Sequence, residues 1–260
     1  MSTSKSVPQD TMVFEQLPLV SDLPVLVGPP APLPRAPKGS AMANAPAKMA
    51  VAVPQGAPSY WADACRHLMR KDRVLKRLIP QLSKLTVAAP SEAFATLARS
   101  IVGQQIAAKS AKTLWNKFSK LPEKMSPELV LKLKVDDMRA VGLSARKVDY
   151  LVDLALHFTE ERLHPAEWPQ MADEAIIAEL MAIRGVSRWT AENFLIYHLI
   201  RPNVLPLDDA ALIRGISENY FSGDPVSRSD AREVAEAWSP WCTVATWYIW
   251  RSLETQPTAG

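Results

Sequence analysis

Cysteine, clustered histidine and long apolar runs are all scarce or missing in this sequence. The two cysteines, Cys65 and Cys242, lie far apart and outside any CxxC motif, and the four histidines form no cluster with ligand spacing. This pattern argues against a zinc site or an iron–sulfur cluster, and two isolated thiols suit a reducing compartment. No apolar run is long enough to span a bilayer, and no charged segment followed by an apolar one marks a secretory signal. We therefore expect a soluble intracellular protein.

A strong excess of charge of one sign is also missing. The sequence holds 30 lysines and arginines against 27 aspartates and glutamates, which gives a formal net charge of +3. Such a balance permits binding to a polyanion but does not select it, because many proteins without a nucleic-acid partner are equally basic. The hydrophobic share of 48% provides enough apolar material for one substantial globular domain.

Proline is plentiful but unevenly distributed. Half of the 22 prolines precede Tyr60, in stretches such as VGPPAPLPRAPKGSAMANAPAK that have no helical or alternating pattern. We predict a disordered tail over residues 1–58 that acts as a tether, a folded domain over 59–254, and a disordered C-terminus over 255–260.

Beyond the tail, the sequence has the periodicity of amphipathic helices. Ser144 and Asp173 each precede a set of apolar residues at three- and four-residue spacing, as residues at helix starts do. Gly142 and Gly185 stand where helices should end, and a further helix should end near Ile200. No segment alternates convincingly as a strand. The sequence therefore predicts an all-α fold.

One segment, AELMAIRGVSRWTAENFLIYHLI, predicts a helix–hairpin–helix. Its first helix ends at Gly185, and Ser187 caps the second helix after a very short turn. Backbone amides at the start of such a second helix can hold a duplex phosphate without reading sequence, and Arg188 and Thr190 would add side-chain contacts. Any two packed helices also need a tight turn with glycine, so the hairpin alone only suggests DNA.

A second segment, NVLPLDDAALIRGI, places two carboxylates at the start of a helix about two dozen residues downstream. An aspartate in this place most often caps the helix, so either Asp208 or Asp209 taken alone has a structural explanation. The pair together with the hairpin is more informative.

These residues resemble the helix–hairpin–helix glycosylase superfamily, and in particular the DNA-3-methyladenine glycosylase II family. In that superfamily the essential aspartate precedes an apolar residue three positions on and a basic residue five positions on. This spacing selects Asp209, with Leu212 and Arg214, and leaves Asp208 as the cap. Two further segments within residues 59–253 are similar to the family's DNA-inserting helix and its next helix, namely SIVGQQIAAKSAKTLWNKF and GLSARKVDYLVDLA. The resemblance implies two helical subdomains with the active-site cleft between them.

The resemblance also implies the chemistry. Glycosylases that cut the DNA backbone carry a lysine where this chain has Trp189, so no Schiff base can form there. A monofunctional hydrolase remains, with Asp209 stabilising the oxocarbenium-like sugar and orienting water. Trp189 and Trp250 match tryptophans of the alkylbase pocket, although core packing would also explain either of them. Asn193 stands where the best-known bacterial form has an aromatic residue, which predicts a less enclosed pocket.

Base release inside a duplex requires extrusion of the nucleotide. By the resemblance, Gln105 intercalates into the gap and Gln104 contacts the neighbouring base or strand, whereas ordinary helix-surface polarity is the alternative for both. The superfamily's hairpin often holds a monovalent cation, Na⁺ or K⁺. Here the carbonyls of Met181, Ile183 and Val186 would supply it, and we expect no other cofactor.

The expected partner is double-stranded DNA with alkylated bases, bound by a monomer, in the nucleoid of a bacterium or the nucleus of a eukaryote. The chain departs from the best-known bacterial form because it lacks the β-rich N-terminal subdomain and has Ser187 in place of the second hairpin glycine. Two alternatives stay open. One is a glycosylase for another lesion such as uracil, hypoxanthine, oxidised guanine or a mismatch, and the other is a non-catalytic helix–hairpin–helix DNA-binding protein.

Overall fold

A computed structural model describes residues 54, 56–82 and 92–254, and the regular structure in these ranges is entirely helical. The predicted all-α fold is therefore confirmed. The predicted C-terminus and almost all of the predicted tail lie outside the described residues. The described ranges hold twelve α-helices: α1 (Trp61–Lys71), α2 (Arg73–Leu82), α3 (Ala93–Gly103), α4 (Ala108–Phe118), α5 (Pro127–Leu131), α6 (Val135–Ala140), α7 (Ala145–Thr159), α8 (Asp173–Met181), α9 (Arg188–Tyr197), α10 (Ala210–Tyr220), α11 (Arg228–Ala235) and α12 (Cys242–Glu254).

Several helices begin where the capping residues of the sequence predict. The Ser144 and Ser187 side chains accept hydrogen bonds from backbone N–H groups in the first turns of α7 and α9. Asp173 differs slightly, because it is the first residue of α8 and Ala172 occupies the cap position. Helix α9 ends at Tyr197, three residues before the predicted end.

The helices pack around two hydrophobic cores. The first core is formed by α3 to α9 and includes large, fully buried side chains of the middle of the chain: Phe118, Met138, Leu151, Leu154 and Trp168. The second is formed by α1 and α2 together with α10 to α12, and its largest fully buried side chains include Leu68, Leu75, Ile79, Trp238 and Tyr248. The second subdomain is thus assembled from both ends of the described chain, and the predicted two-subdomain arrangement is confirmed.

A buried carboxylate ties the two ends of the chain together. Asp72, between α1 and α2, accepts hydrogen bonds from the Leu75 backbone N–H, from the Tyr220 hydroxyl at 2.6 Å and from the Trp238 indole at 2.9 Å. The two aromatic donors come from the C-terminal third of the chain. This carboxylate therefore links α1 and α2 to α10 and to the turn before α12.

The connector between α9 and α10 crosses from one subdomain to the other. Val204 belongs to the first core, whereas Leu205 and Leu207 pack against the second. Thr243 of α12 fixes the connector, since its hydroxyl donates to the Arg201 carbonyl at 2.5 Å and accepts from the Val204 N–H at 3.0 Å. Helix α10 therefore starts at the junction of the two subdomains. Within the described ranges, no helix combines the length and apolarity that crossing a membrane requires.

Candidate active site

Asp209 lies at the start of α10, where the connector enters the second subdomain. It is the N-cap of this helix, and its Oδ1 atom accepts a hydrogen bond from the Leu212 N–H at 2.6 Å. The prediction that Asp208 is the cap is therefore wrong: Asp208 is exposed and forms an ion pair with Arg228 at 2.7 Å. Asp209 has the extended backbone that capping requires, and its side chain reaches the first turn of α10.

Two tryptophans donate to the same carboxylate. The Trp189 indole Nε1 lies 2.6 Å from Oδ2 of Asp209, and the Trp250 indole Nε1 lies 2.9 Å from Oδ1. Both indoles are half-buried, whereas Asp209 is only 6% exposed. The structure thus brings together the three residues that the sequence placed at the centre of the site, on α9, α10 and α12.

The face of α9 toward this carboxylate continues beyond Trp189. Asn193, one turn further, donates its side-chain amide to the Trp189 carbonyl at 2.8 Å. Tyr197, after another turn, stacks on Trp250 with ring centroids 5.9 Å apart and an interplanar angle of 17°. Sequence reasoning missed Tyr197, although its four-residue spacing from Asn193 was the available signal.

Tyr197 is a buried polar group of this site. Its hydroxyl lacks a hydrogen-bond partner within the described part of the chain. Burial raises the pKa of Tyr197 well above its usual range, so the phenol stays neutral at any physiological pH. Tyr197 therefore supports the Trp250 ring from behind without adding charge near Asp209.

The hairpin between α8 and α9 has the predicted turn. Gly185 has φ of +84°, and the Val186 N–H donates to the Ile183 carbonyl at 3.1 Å. Ser187 is exposed at the N-cap of α9, with its hydroxyl 3.3 Å from the Thr190 N–H. The sequence predicted that the Thr190 side chain contacts DNA. Thr190 is only 3% exposed, however, so its side chain is not available for that contact. The turn therefore presents backbone groups and the Ser187 hydroxyl.

Arg188, predicted to contact DNA, is held by two carboxylates. Its Nε donates to Glu192 at 3.0 Å, and its two terminal nitrogens bind Glu174 of α8. Glu192 is nearly buried, and this burial raises the pKa of its carboxyl. These bonds use three of the five N–H donors of Arg188, so the structure gives it a bracing role between α8 and α9.

Gln104 and Gln105 follow α3 and face different surroundings. Gln105 is exposed with φ of +56°, which suits the predicted intercalating residue. Gln104 is partly buried and donates its side-chain amide to the Gly185 carbonyl at 2.8 Å. The sequence predicted that Gln104 contacts the neighbouring base or strand. In the structure its amide nitrogen is engaged with the hairpin instead.

Asp208, Arg214 and Arg228 line an open groove of about 500 Å³ whose lining does not include Asp209 or either tryptophan, so the groove is not the base pocket. Across the residues that the structure describes, no three His, Cys, Asp or Glu side chains are grouped so that they could hold a metal ion. Any cation at the hairpin would have to use backbone carbonyls.

Comparisons with known proteins identify the family of this chain. A family model described as HhH-GPD superfamily base excision DNA repair protein matches residues 98–240, more than half of the chain. Over 128 residues the chain is 35% identical to YfjP of Bacillus subtilis, a candidate DNA-3-methyladenine glycosylase. This match covers 49% of this chain but only 45% of that relative. Over 166 residues it is 31% identical to DNA-3-methyladenine glycosylase 1 of Schizosaccharomyces pombe, covering 62% of this chain and 72% of the relative.

A solved structure supports the same assignment. The Schizosaccharomyces pombe 3-methyladenine DNA glycosylase in complex with abasic DNA superposes with a TM-score of 0.67 at 28% identity, covering 74% of this chain and 97% of that one. The family match, the sequence relatives and the shared helical architecture point in one direction. The chain therefore belongs to the HhH-GPD superfamily of base excision DNA repair proteins, within its DNA-3-methyladenine glycosylase family.

Proposed function

We propose that this chain is a monofunctional DNA glycosylase of the DNA-3-methyladenine glycosylase II type, which releases alkylated bases from duplex DNA. The observation that carries the proposal is the buried Asp209 carboxylate with the Trp189 indole bonded to it. A lysine at the tryptophan position would provide an amine for a Schiff base, whereas an indole provides only a hydrogen-bond donor and a π face. The names of the relatives support 3-methyladenine as a substrate, and we propose 7-methylguanine with it because it is also a cationic alkylpurine.

The Asp209 carboxylate is fixed in place, so that it can stabilise positive charge on the sugar. Three N–H donors, from Leu212, Trp189 and Trp250, fix both of its oxygens at the helix start. As the N-glycosidic bond breaks, its electron pair leaves with the base and positive charge develops on the sugar, where a fixed anion stabilises it. Water then bonds to the anomeric carbon, and Asp209 orients it and accepts its proton. A positively charged alkylpurine leaves as a neutral base and needs no acid.

The two half-buried indoles provide selectivity. A cationic base stacked on Trp189 or Trp250 gains cation–π attraction that a neutral base does not. Tyr197 stacks behind Trp250 and limits how far that ring can retreat. Both indole N–H groups bond to Asp209, so a base stacked on either ring lies beside the carboxylate.

The hairpin and the loop after α3 provide the grip on DNA. The backbone amides at the start of α9 bind a phosphate, and Gln105 fills the gap left by the extruded nucleotide. The carbonyls of Met181, Ile183 and Val186 would hold a monovalent cation that bridges to a phosphate. Neutral oxygens fit such an ion, and the Ile183 carbonyl keeps a second lone pair beside its bond to Val186. We propose that the protein acts as a monomer. Its location would be the nucleoid of a bacterium or the nucleus of a eukaryote.

The test is release of free bases from methylated duplex DNA, separated by chromatography, with Asp209→Asn prepared alongside. The proposal expects 3-methyladenine or 7-methylguanine from the parent protein only, with strands intact until alkali is added. Release of uracil, hypoxanthine or oxidised guanine instead would replace the proposed substrate. Firm duplex binding without any base release would overturn the catalytic proposal.

A further inference from the structure

The loop between α3 and α4 is tied to the hairpin turn by one side chain. Helix α3 ends at Gly103, and Gln104 follows with an extended backbone. Its Nε2 atom lies 2.8 Å from the carbonyl oxygen of Gly185, 81 residues away in sequence. A carbonyl oxygen can only accept, so the nitrogen of the Gln104 amide faces the turn, and chemistry alone assigns this orientation.

The turn that receives this bond is itself held by α7. The Asp153 carboxylate accepts from the Arg184 backbone N–H at 2.8 Å and from the Arg184 Nε at 3.1 Å. Beneath Gly185 lies the Tyr150 ring, which a Cβ at this glycine would approach to 2.2 Å. The turn has contacts on several sides, so Gln104 binds a fixed point.

The end of α3 is anchored to the same helix. The Lys147 ammonium group donates to the Val102 carbonyl at 2.6 Å. Together with the Gln104 bond, this contact fixes the backbone on both sides of Gly103. The next side chain, that of Gln105, is exposed on a backbone with φ of +56°. The position of Gln105 is therefore set relative to the hairpin turn.

We propose that Gln104 is a positioning residue for nucleotide extrusion, which fixes the distance between the phosphate-holding hairpin turn and the intercalating Gln105. This inference rests on the proposed function. A residue that replaces a stacked nucleotide needs a rigid support, and the hairpin turn is a fixed point that Gln104 reaches. A bond from Gln104 to Gly185 transmits that support directly, without a side-chain contact to DNA.

The test compares Gln104→Leu with the parent protein and with Gln81→Leu, which replaces an exposed glutamine on α2. Leucine keeps much of the side-chain volume but removes the donor. For an alkylated base in a matched pair, we expect single-turnover release to fall about three- to tenfold, the loss that one hydrogen bond brings. For the same base in a mispair, which is easier to extrude, the loss should be no more than about twofold. The Gln81→Leu protein should match the parent on both substrates.

Equal rates for Gln104→Leu and the parent on both substrates would overturn the inference, and so would equal losses on both. The second result would indicate a general defect of the site rather than of extrusion. If the parent protein releases no base, the proposed function fails, and a second measurement then tests the role of Gln104 by itself. With 2-aminopurine beside an abasic-site analogue, saturating Gln104→Leu protein should give a smaller rise in fluorescence than the parent, and an equal rise would refute the inference.

Discussion

Asp209 combines two roles that the sequence presents as alternatives. Its spacing to Leu212 and Arg214 singles it out as the functional aspartate, and this prediction remains consistent with the structure. The cap was assigned to its neighbour, because two adjacent aspartates before one helix satisfy the same local pattern. Only the backbone geometry separates them: Asp209 has φ of −81° and ψ of 112°, with Oδ1 directed at the Leu212 N–H. The residue that we propose acts on the sugar also holds the start of its own helix.

Asp209→Asn should abolish base release while retaining duplex binding. The amide oxygen can still cap α10, but the negative charge that stabilises the sugar cation is lost, which we expect to lower single-turnover release by about 100-fold or more. Duplex affinity should be equal or higher, because a carboxylate beside phosphates is removed. Asp209→Ala should lose about 1 kcal/mol of stability in addition, since the cap disappears. Turnover of Asp209→Asn at the parental rate would contradict the mechanism.

Trp189→Ala should reduce the preference for cationic bases more than it reduces DNA affinity. The measurement is the ratio of 7-methylguanine to hypoxanthine release, compared with the duplex dissociation constant. Trp189→Phe is the matched control, because it keeps a smaller aromatic face and removes the donor to Asp209. We expect it to retain most of the ratio. An equal fall in both release rates in Trp189→Ala would assign this ring to packing instead of selection.

At the level of elements, the hairpin shows what local sequence can and cannot predict. The glycine turn and the Ser187 cap follow from residue types at fixed spacing, and both are present. The contacts of Gln104, Tyr150 and Asp153 with that turn were not predicted, because they join segments that lie far apart in sequence. The availability of Arg188 and Thr190 also depends on tertiary packing, which local periodicity does not report.

Gly185→Ala should destabilise the protein by about 1–3 kcal/mol and weaken duplex binding. Alanine would be strained at the positive φ of this position, and its Cβ would approach the Tyr150 ring to 2.2 Å. Gly223→Ala is a suitable control, because Gly223 has a similar φ of +93° but its Cβ would meet only a Glu218 oxygen at 3.9 Å. Urea unfolding should show a smaller loss for the control. Equal losses would mean that the Tyr150 contact relaxes without cost.

Across the whole molecule, the two-subdomain arrangement was implied by the resemblance, and the structure shows how the chain achieves it. The N-terminal helices α1 and α2 share a core with α10 to α12, so the fold closes only after the last helix is present. Amphipathic patterns predicted an all-helical domain but not this partnership, since a helical face does not specify its partner. The cleft at Asp209 depends on that closure, because α12 delivers Trp250.

Asp72→Ala should destabilise the protein by about 2–4 kcal/mol, because the Tyr220 hydroxyl and the Trp238 indole would both lose a buried acceptor. Asp63→Ala, an exposed carboxylate on α1 paired with Arg66, serves as control and should change stability by about 0.5 kcal/mol or less. Chemical denaturation of both variants provides the comparison. Similar losses in the two would show that the ends of the chain are not linked through Asp72.

Both cysteines should react slowly with thiol reagents in the folded protein. Burial raises the pKa of Cys65 and of Cys242 to about 11, so at pH 8 roughly one thiol in a thousand is ionised, even before access is considered. Because each pKa is raised, reactivity should grow steeply as the pH rises toward it. In denaturant, both thiols should react immediately with the reagent. Rapid labelling of the native protein at pH 8 would contradict the buried positions.

The pair of indoles on one carboxylate also has an optical consequence. Two of the eight tryptophans in the chain donate to Asp209, so a quarter of the indole fluorophores sit against the same negative charge. A nucleotide that stacks on either ring, as we propose, should change the local field around that ring. Intrinsic emission is therefore a label-free signal of substrate arrival, and it separates the moment of entry from the later moment of bond cleavage.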